Sequence, residues 1–153
     1  MNDAPYLPLF EAMDGLAPSL GEEVVMQVGP SGFEGKNSRC FRYLPEDEMQ
    51  AVFDRAGLIV CHAGIGTILN GMDRNIPLVL VPRCVVRPGT ETDQQMTVAR
   101  KVEALGRGVV VETLDGLGAG IARGRALEFG PYKRGTSLCD FLSDLLRERA
   151  GLV

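Results

Sequence analysis

Residues 57–75 read GLIVCHAGIGTILNGMDRN, and this stretch decides the fold. The run LIVC is short and rich in β-branched residues, which is typical of a strand buried on both faces. The apolar spacing after Gly66 is that of a helix. The stretch therefore predicts a strand, a tight turn that carries His62, the only histidine, and a helix.

Strand-like and helix-like segments alternate along the rest of the chain as well. In chain order they are the helix YLPLFEAMDGLAPSL, the strands EEVVMQVG and SRCFRYL, the helix PEDEMQAVFDRAG, the strand IPLVLVP, an irregular stretch PRCVVRPGTETDQQ, the helix DQQMTVARKVEALG, the strand GVVVE and a terminal helix SLCDFLSDLLRERAG. The glycine-rich segment DGLGAGIARGRALEFGPYKRG is expected to be loose. This order predicts an α/β fold, a Rossmann-like and mostly parallel sheet with helices on both faces, in one domain over 1–153.

Composition excludes several classes of function. With 16 Lys and Arg against 20 Asp and Glu, the net charge is -4, which argues against a nucleic-acid or anionic-lipid surface. The four cysteines form no CxxC pair and have no second histidine to complete a zinc site, so we expect reduced thiols in a cytoplasmic protein. We find neither a candidate membrane span nor an export signal in the sequence.

The turn HAGIGT favours an anion. Gly64 and Gly66 let the backbone approach a ligand, Thr67 can cap the helix or offer its hydroxyl, and the helix N-terminus directs amides and its positive dipole end at the turn. The alternative is a glycine turn needed only for packing. Leu69 stands where a dinucleotide fingerprint requires its third glycine, so a nicotinamide enzyme is disfavoured.

A second polar segment opens the helix after the next strand. Asp93, Gln94 and Gln95 offer a carboxylate and amides that match sugar hydroxyls, although they also suit a solvated first helical turn. Arg83 and Arg87 precede them in the same loop and suit a phosphate or a carboxylate.

With these features in order, the sequence resembles the nucleotide-sugar-binding half of the GT-B glycosyltransferases of family 28. The resemblance covers roughly residues 6–114, through FRYLPEDEMQAVFDRAGLIVCHAGIGTILNGMDRNIPLVLVPR and TDQQMTVARKVEALG. It is strongest to the small soluble subunits of two-protein transferases, namely those of bacterial exopolysaccharide synthesis and of the dolichol pathway.

The resemblance implies a UDP-sugar site. The diphosphate would lie against His62, Gly64, Ile65, Gly66 and Thr67. The sugar would lie near Gln94 and Gln95, with Asp93 and Arg83 at the same end. The backbone near Tyr43 and Leu44 would meet uracil. Asn70 stands where relatives carry a glutamate that holds the ribose.

The resemblance also implies the chemistry: sugar transfer with inversion to a lipid-linked acceptor, without a metal or other cofactor. The general base and the acceptor site would lie on a membrane-anchored partner subunit, in a heterodimer at the inner face of the plasma membrane. The implied activity is that of a hexosyltransferase of exopolysaccharide synthesis, with β-1,4-glucuronosyl transfer as one candidate because Arg83 and Arg87 suit a carboxylate.

One departure from the family concerns the sheet. Members usually begin with an apolar strand that ends in a Gly-Thr turn, whereas this chain opens with MNDAPYLPLF. We expect an unfilled slot or a rearranged pairing between the strands at 24–28 and 58–61, because the missing strand would be central.

Two other functions stay open at this level. The first is a non-catalytic docking subunit that enhances a transferase, for which the terminal helix is the candidate contact. The second is a nucleotide-binding protein that acts on a small molecule without any partner.

Overall fold

Helices and strands alternate as predicted in the computed structural model, which describes residues 6–86 and 93–131 together with positions 140 and 143. The helices are α1 (Leu7–Leu20), α2 (Glu46–Arg55), α3 (Ile65–Asp73), α4 (Arg83–Val86), α5 (Asp93–Ala104) and α6 (Leu117–Arg125). The strands are β1 (Val25–Gln27), β2 (Arg39–Phe41), β3 (Ile59–Cys61), β4 (Leu78–Leu80) and β5 (Gly108–Val110).

The strands form two parallel sheets. One pairs β1 with β2, and Met26 lies opposite Cys40. The other has the order β3-β4-β5, in which Val79 lies between Val60 and Val109. Because parallel strands end at one edge of a sheet, the turns after β3, β4 and β5 lie together.

Helices cover both faces of the larger sheet. Leu78 and Leu80 pack with α3 and α5, while Val79 and Val81 pack with α1 and α6. The alternation follows from the pleat of the strand, which directs successive side chains to opposite faces. This arrangement confirms the predicted α/β sheet with helices on both faces.

The predicted break in the sheet is present. Among the described residues no strand pairs with both β1 and β3, and the two sheets share no strand pairing. They are joined by packing instead, because Met26 and Val28 lie in the same apolar cluster as Val79 and Val81.

Two expectations about irregular segments were wrong. The stretch after β4 begins with the short helix α4, and the glycine-rich segment expected to be loose contains α6. A Cβ at Gly120 would lie 2.5 Å from Val111, and one at Gly124 would lie 2.9 Å from Val79. These glycines therefore let α6 approach the sheet closely.

The terminal helix proposed as a docking element lies outside the described residues, apart from Asp140 and Ser143, which are helical. In the ranges that are described, no helix is both long and apolar enough to cross a bilayer.

Candidate functional site

The sequence predicts an anion site at the turn between β3 and α3. Gly64 is the N-cap of α3 with no side-chain cap, so Thr67 does not cap the helix. The amides of Ile65, Gly66 and Thr67 lie in the first turn, where a helix offers no internal acceptor. They provide donors and the positive end of the helix dipole at the edge of the sheet.

The two glycines of the turn have different roles. A Cβ at Gly64 would lie 2.8 Å from His62 Nε2, so the imidazole packs against the bare backbone there. A Cβ at Gly66 would meet no atom within 4 Å, and the φ of Gly66 is not positive. Neither packing nor backbone geometry explains Gly66, and its missing side chain leaves the helix N-terminus open.

The strained residue of the turn is Ala63 and not a glycine. Ala63 has a φ of 67° and is buried, although only glycine adopts this region readily. The turn thus places His62 and Gly64 on either side of a left-handed residue.

Cys61 precedes His62 but is no candidate nucleophile. Its thiol is buried, and burial raises the pKa of Cys61 to about 11. The thiol is therefore protonated at neutral pH.

Side chains from the N-cap of α1, from α4 and from α5 meet beside His62. The rings of Tyr6 and His62 lie 5.4 Å apart, centroid to centroid, and the Arg83 guanidinium lies 5.7 Å from the centre of the Tyr6 ring. Gln95 Oε1 accepts hydrogen bonds from the Tyr6 hydroxyl at 3.3 Å and from the Arg83 backbone amide at 2.8 Å. We call Tyr6, His62, Arg83 and Gln95 the edge cluster.

The edge cluster has positive electrostatic character. Among the described residues Arg83 makes no ion pair, and its Nε is buried without a hydrogen-bond partner. A buried, unpartnered guanidinium nitrogen is costly to keep, and an acceptor on a ligand would relieve that cost.

Arg83 also affects the pKa values of its neighbours His62 and Tyr6. His62 is exposed as a residue, but the protein partly shields its ring from solvent. This desolvation lowers the pKa of His62, and the Arg83 charge lowers that pKa further. Burial raises the pKa of the half-buried Tyr6, and contact with Arg83 partly offsets that rise. His62 is therefore neutral at pH 7 and Tyr6 keeps its proton.

The structure brings His62, Gly64, Ile65, Gly66, Thr67, Arg83 and Gln95 to one edge of the sheet. Gln94 follows at the start of α5 and is exposed. The backbone of Asp93 begins α5, but its side chain lies outside what is described, as do Arg87 and Thr92. Tyr6 is the member of the cluster that no sequence motif indicated.

Asn70 and Leu44 have protein partners. Asn70 donates to the Gly66 carbonyl at 3.0 Å and accepts from Arg74 at 3.0 Å, so both polar atoms of its side chain are engaged. The Leu44 amide donates to Gln27 Oε1 at 3.3 Å.

An open cleft of about 530 Å³ lies where β1 and β2 end. It is lined by Val28, Gly29, Pro30, Gly32, Phe33, Glu34, Gly35, Ser38, Cys40, Phe41 and Arg42. The exposed Tyr43 lies beside it, with its hydroxyl 3.5 Å from where a Cβ of Gly29 would be. The expected uracil contacts thus adjoin a concave surface.

In the described ranges no three histidine, cysteine, aspartate or glutamate side chains are grouped so that they would hold a metal ion.

The sequence matches the family described as the glycosyltransferase family 28 C-terminal domain over residues 9–119. The chain belongs to this family. The match includes the glycine turn, Arg83 and Gln95. No curated protein matches the sequence significantly.

Solved glycosyltransferases share the fold of this family 28 domain. The glycotransferase of kitacinnamycin is 25% identical with a TM-score of 0.61, and the match covers 94% of this chain and 36% of that one. CalG4, the calicheamicin glycosyltransferase, is 22% identical with a TM-score of 0.57, covering 76% and 31% of the two chains. The spinosyn forosaminyltransferase SpnP is 19% identical with a TM-score of 0.58, covering 75% and 28%. The chain thus spans about a third of the length of these proteins.

Proposed function

We propose that this family 28 domain binds a UDP-sugar and supplies the donor half of a glycosyltransferase. The observation that carries the proposal is the open N-terminus of α3. Gly66 has no packing contact to preserve, while the amides of Ile65 to Thr67 face the same edge as Arg83. Free amides at a helix N-terminus beside a cation suit a diphosphate.

The phosphates would lie between the turn and the edge cluster. The amides after Gly64 would bind one phosphate, and His62 would donate from its ring. As the sugar departs, negative charge grows on the UDP, and fixed amides and Arg83 would stabilise it. No metal is needed in this scheme, so chelation is expected to leave UDP affinity unchanged.

The sugar would lie at the side of Arg83 and Gln95. Gln95 Oε1 already accepts two hydrogen bonds, so its amide nitrogen is the end left to donate to the donor sugar. Arg83 Nε lacks a partner and suits a carboxylate, which favours glucuronate over a neutral hexose. Asp93 and Gln94 begin the same helix and would complete this end of the site.

Uracil would lie toward Leu44 and Tyr43, beside the cleft at the ends of β1 and β2. The ribose contact assigned to Asn70 needs a rearrangement, because Asn70 is bonded to Gly66 and Arg74. A ribose hydroxyl would have to share Asn70 with those partners.

The wider role that we propose is inverting transfer to a lipid-linked acceptor in exopolysaccharide synthesis. In that role a membrane-anchored partner would hold the acceptor and the general base, and this chain would lie at the cytoplasmic face of the membrane. The resemblance to small two-protein transferase subunits supports this arrangement.

Calorimetric titration with UDP tests the proposal. We expect the chain to bind UDP, His62→Ala to bind it about tenfold more weakly, and uridine to bind much more weakly than UDP, because the turn contacts phosphate. An exposed cation on α2 provides the matched control, and Arg55→Ala should keep the affinity of the unaltered chain. If UDP does not bind, the donor site is refuted and the non-catalytic docking subunit becomes the better account.

A further inference from the structure

Tyr6 contacts every other member of the edge cluster. Its ring faces His62 at 5.4 Å and the Arg83 guanidinium at 5.7 Å, and its hydroxyl donates to Gln95. We propose that Tyr6 is a positioning residue of the donor site, which ties the phosphate contact His62 to the sugar contacts Arg83 and Gln95. This inference rests on the proposed function and deepens it.

The hydroxyl acts on the sugar end. Gln95 Oε1 takes one hydrogen bond from Tyr6 and one from the Arg83 backbone amide. Two donors on the oxygen determine which way the side-chain amide faces, because the nitrogen cannot accept from them. Tyr6 thereby helps to present the Gln95 nitrogen as a donor.

The ring acts on the phosphate end. His62 directly precedes the strained Ala63 on a tight turn and is exposed, so its ring needs lateral support to keep one orientation. The tilted ring of Tyr6 supplies that support, and the same ring carries the Arg83 cation.

Helix α1 holds Tyr6 in place. Tyr6 is the N-cap of α1, and its carbonyl accepts from the amides of Leu9 and Phe10. One turn later, the Phe10 ring packs on Phe33 at 5.8 Å. Tyr6 is thus held by a helix packed on the sheet.

Two substitutions of Tyr6 distinguish the contribution of its hydroxyl to ligand binding from the contribution of its ring. Tyr6→Phe keeps the ring and removes the hydrogen bond to Gln95, so we expect UDP affinity within twofold of the unaltered chain and UDP-glucuronate affinity about fivefold weaker. Tyr6→Leu removes the ring and should weaken both ligands. Leu16→Ala, two turns or more along the same helix from Tyr6, is the control, and it should lower the melting temperature without changing either affinity.

Calorimetric titrations of each variant with UDP and with UDP-glucuronate give the answer. If Tyr6→Phe weakens both ligands equally, or weakens neither, the positioning role is overturned. In that case UDP binding by the unaltered chain still supports the donor site. If the unaltered chain binds no UDP, the proposed function fails and this inference with it. Tyr6→Phe decides the question even if Tyr6→Leu does not fold.

Discussion

The imidazole of His62 lies directly over Gly64, where a Cβ would be 2.8 Å from Nε2 and 3.0 Å from Cε1. We predict that Gly64→Ala displaces the ring and weakens UDP binding about tenfold, like His62→Ala. The cost in stability should be small, because the exposed ring can rotate away.

Calorimetry on the two single variants and the double variant checks this coupling. The double variant should bind UDP no more weakly than either single variant, since both remove the same contact. Fully additive losses would show that Gly64 and His62 act independently.

Donor binding should consume a proton through His62. In the free protein, burial and the Arg83 charge lower the pKa of His62, whereas a bound diphosphate would raise that pKa again. Between these two pKa values, affinity should rise as the pH falls, and at higher pH it should be flat. A UDP-sugar is the appropriate ligand, because its phosphates lack the terminal ionisation of UDP.

Titrations in two buffers of different ionisation enthalpy measure that proton uptake. His62→Asn keeps a hydrogen-bond donor without the titration, so its affinity should not vary with pH. Proton uptake of the same size in His62→Asn would assign the effect to another group.

Arg83 should discriminate between donor sugars. Because its Nε is buried and unpartnered, we expect Arg83→Ala to weaken UDP-glucuronate about tenfold more than UDP-galactose. Arg55→Ala removes a distant exposed charge and should affect both donors equally. Equal losses for the two donors in Arg83→Ala would refute the carboxylate contact.

Asp14 should stabilise the fold in a pH-dependent way. It is 8% exposed and accepts hydrogen bonds from the Ser38 hydroxyl and from the Asn37 and Lys36 amides. The Ser38 bond and the Asn37 amide lower the pKa of Asp14. Its contribution is therefore complete above the unfolded pKa of about 3.9 and is lost as the pH falls through the lower folded pKa.

Thermal melts across pH test this role of Asp14. Asp14→Asn should melt at a lower temperature near pH 7, and the difference should shrink in acid. Glu11→Gln, on the exposed face of the same helix, is the control and should melt like the unaltered chain. A difference that is constant with pH would show that ionisation of Asp14 is not involved.

Local sequence patterns were sufficient to predict most of the helices and strands. The β-branched run before His62 and the helical spacing after it correspond to β3 and α3, and the lack of pairing that the sequence predicts between β1 and β3 is observed. Helix α6 was missed because Gly120 and Gly124 serve close packing on Val111 and Val79, a contact between segments distant in sequence.

The site was only partly predictable for the same reason. The sequence predicts that Gly64 and Gly66 act together in the turn. Their different roles are visible only in the structure, where a Cβ at Gly64 would meet His62 and a Cβ at Gly66 would meet no atom within 4 Å. Tyr6 belongs to no motif and reaches the site through α1, so sequence pattern gives no signal for it. The engagement of Asn70 by Arg74 is likewise visible only in three dimensions.

UDP affinity of Gly66→Ala tests the central claim most directly. The added methyl meets no atom within 4 Å, so stability should hold or rise by up to about 1 kcal/mol, while the methyl obstructs the helix N-terminus and weakens UDP at least about tenfold. Gly71→Ala is the control, since its Cβ would lie 2.7 Å from Leu78; it should lose about 1–3 kcal/mol of stability and keep the affinity of the folded protein. Unchanged UDP affinity in Gly66→Ala would contradict diphosphate binding at this turn.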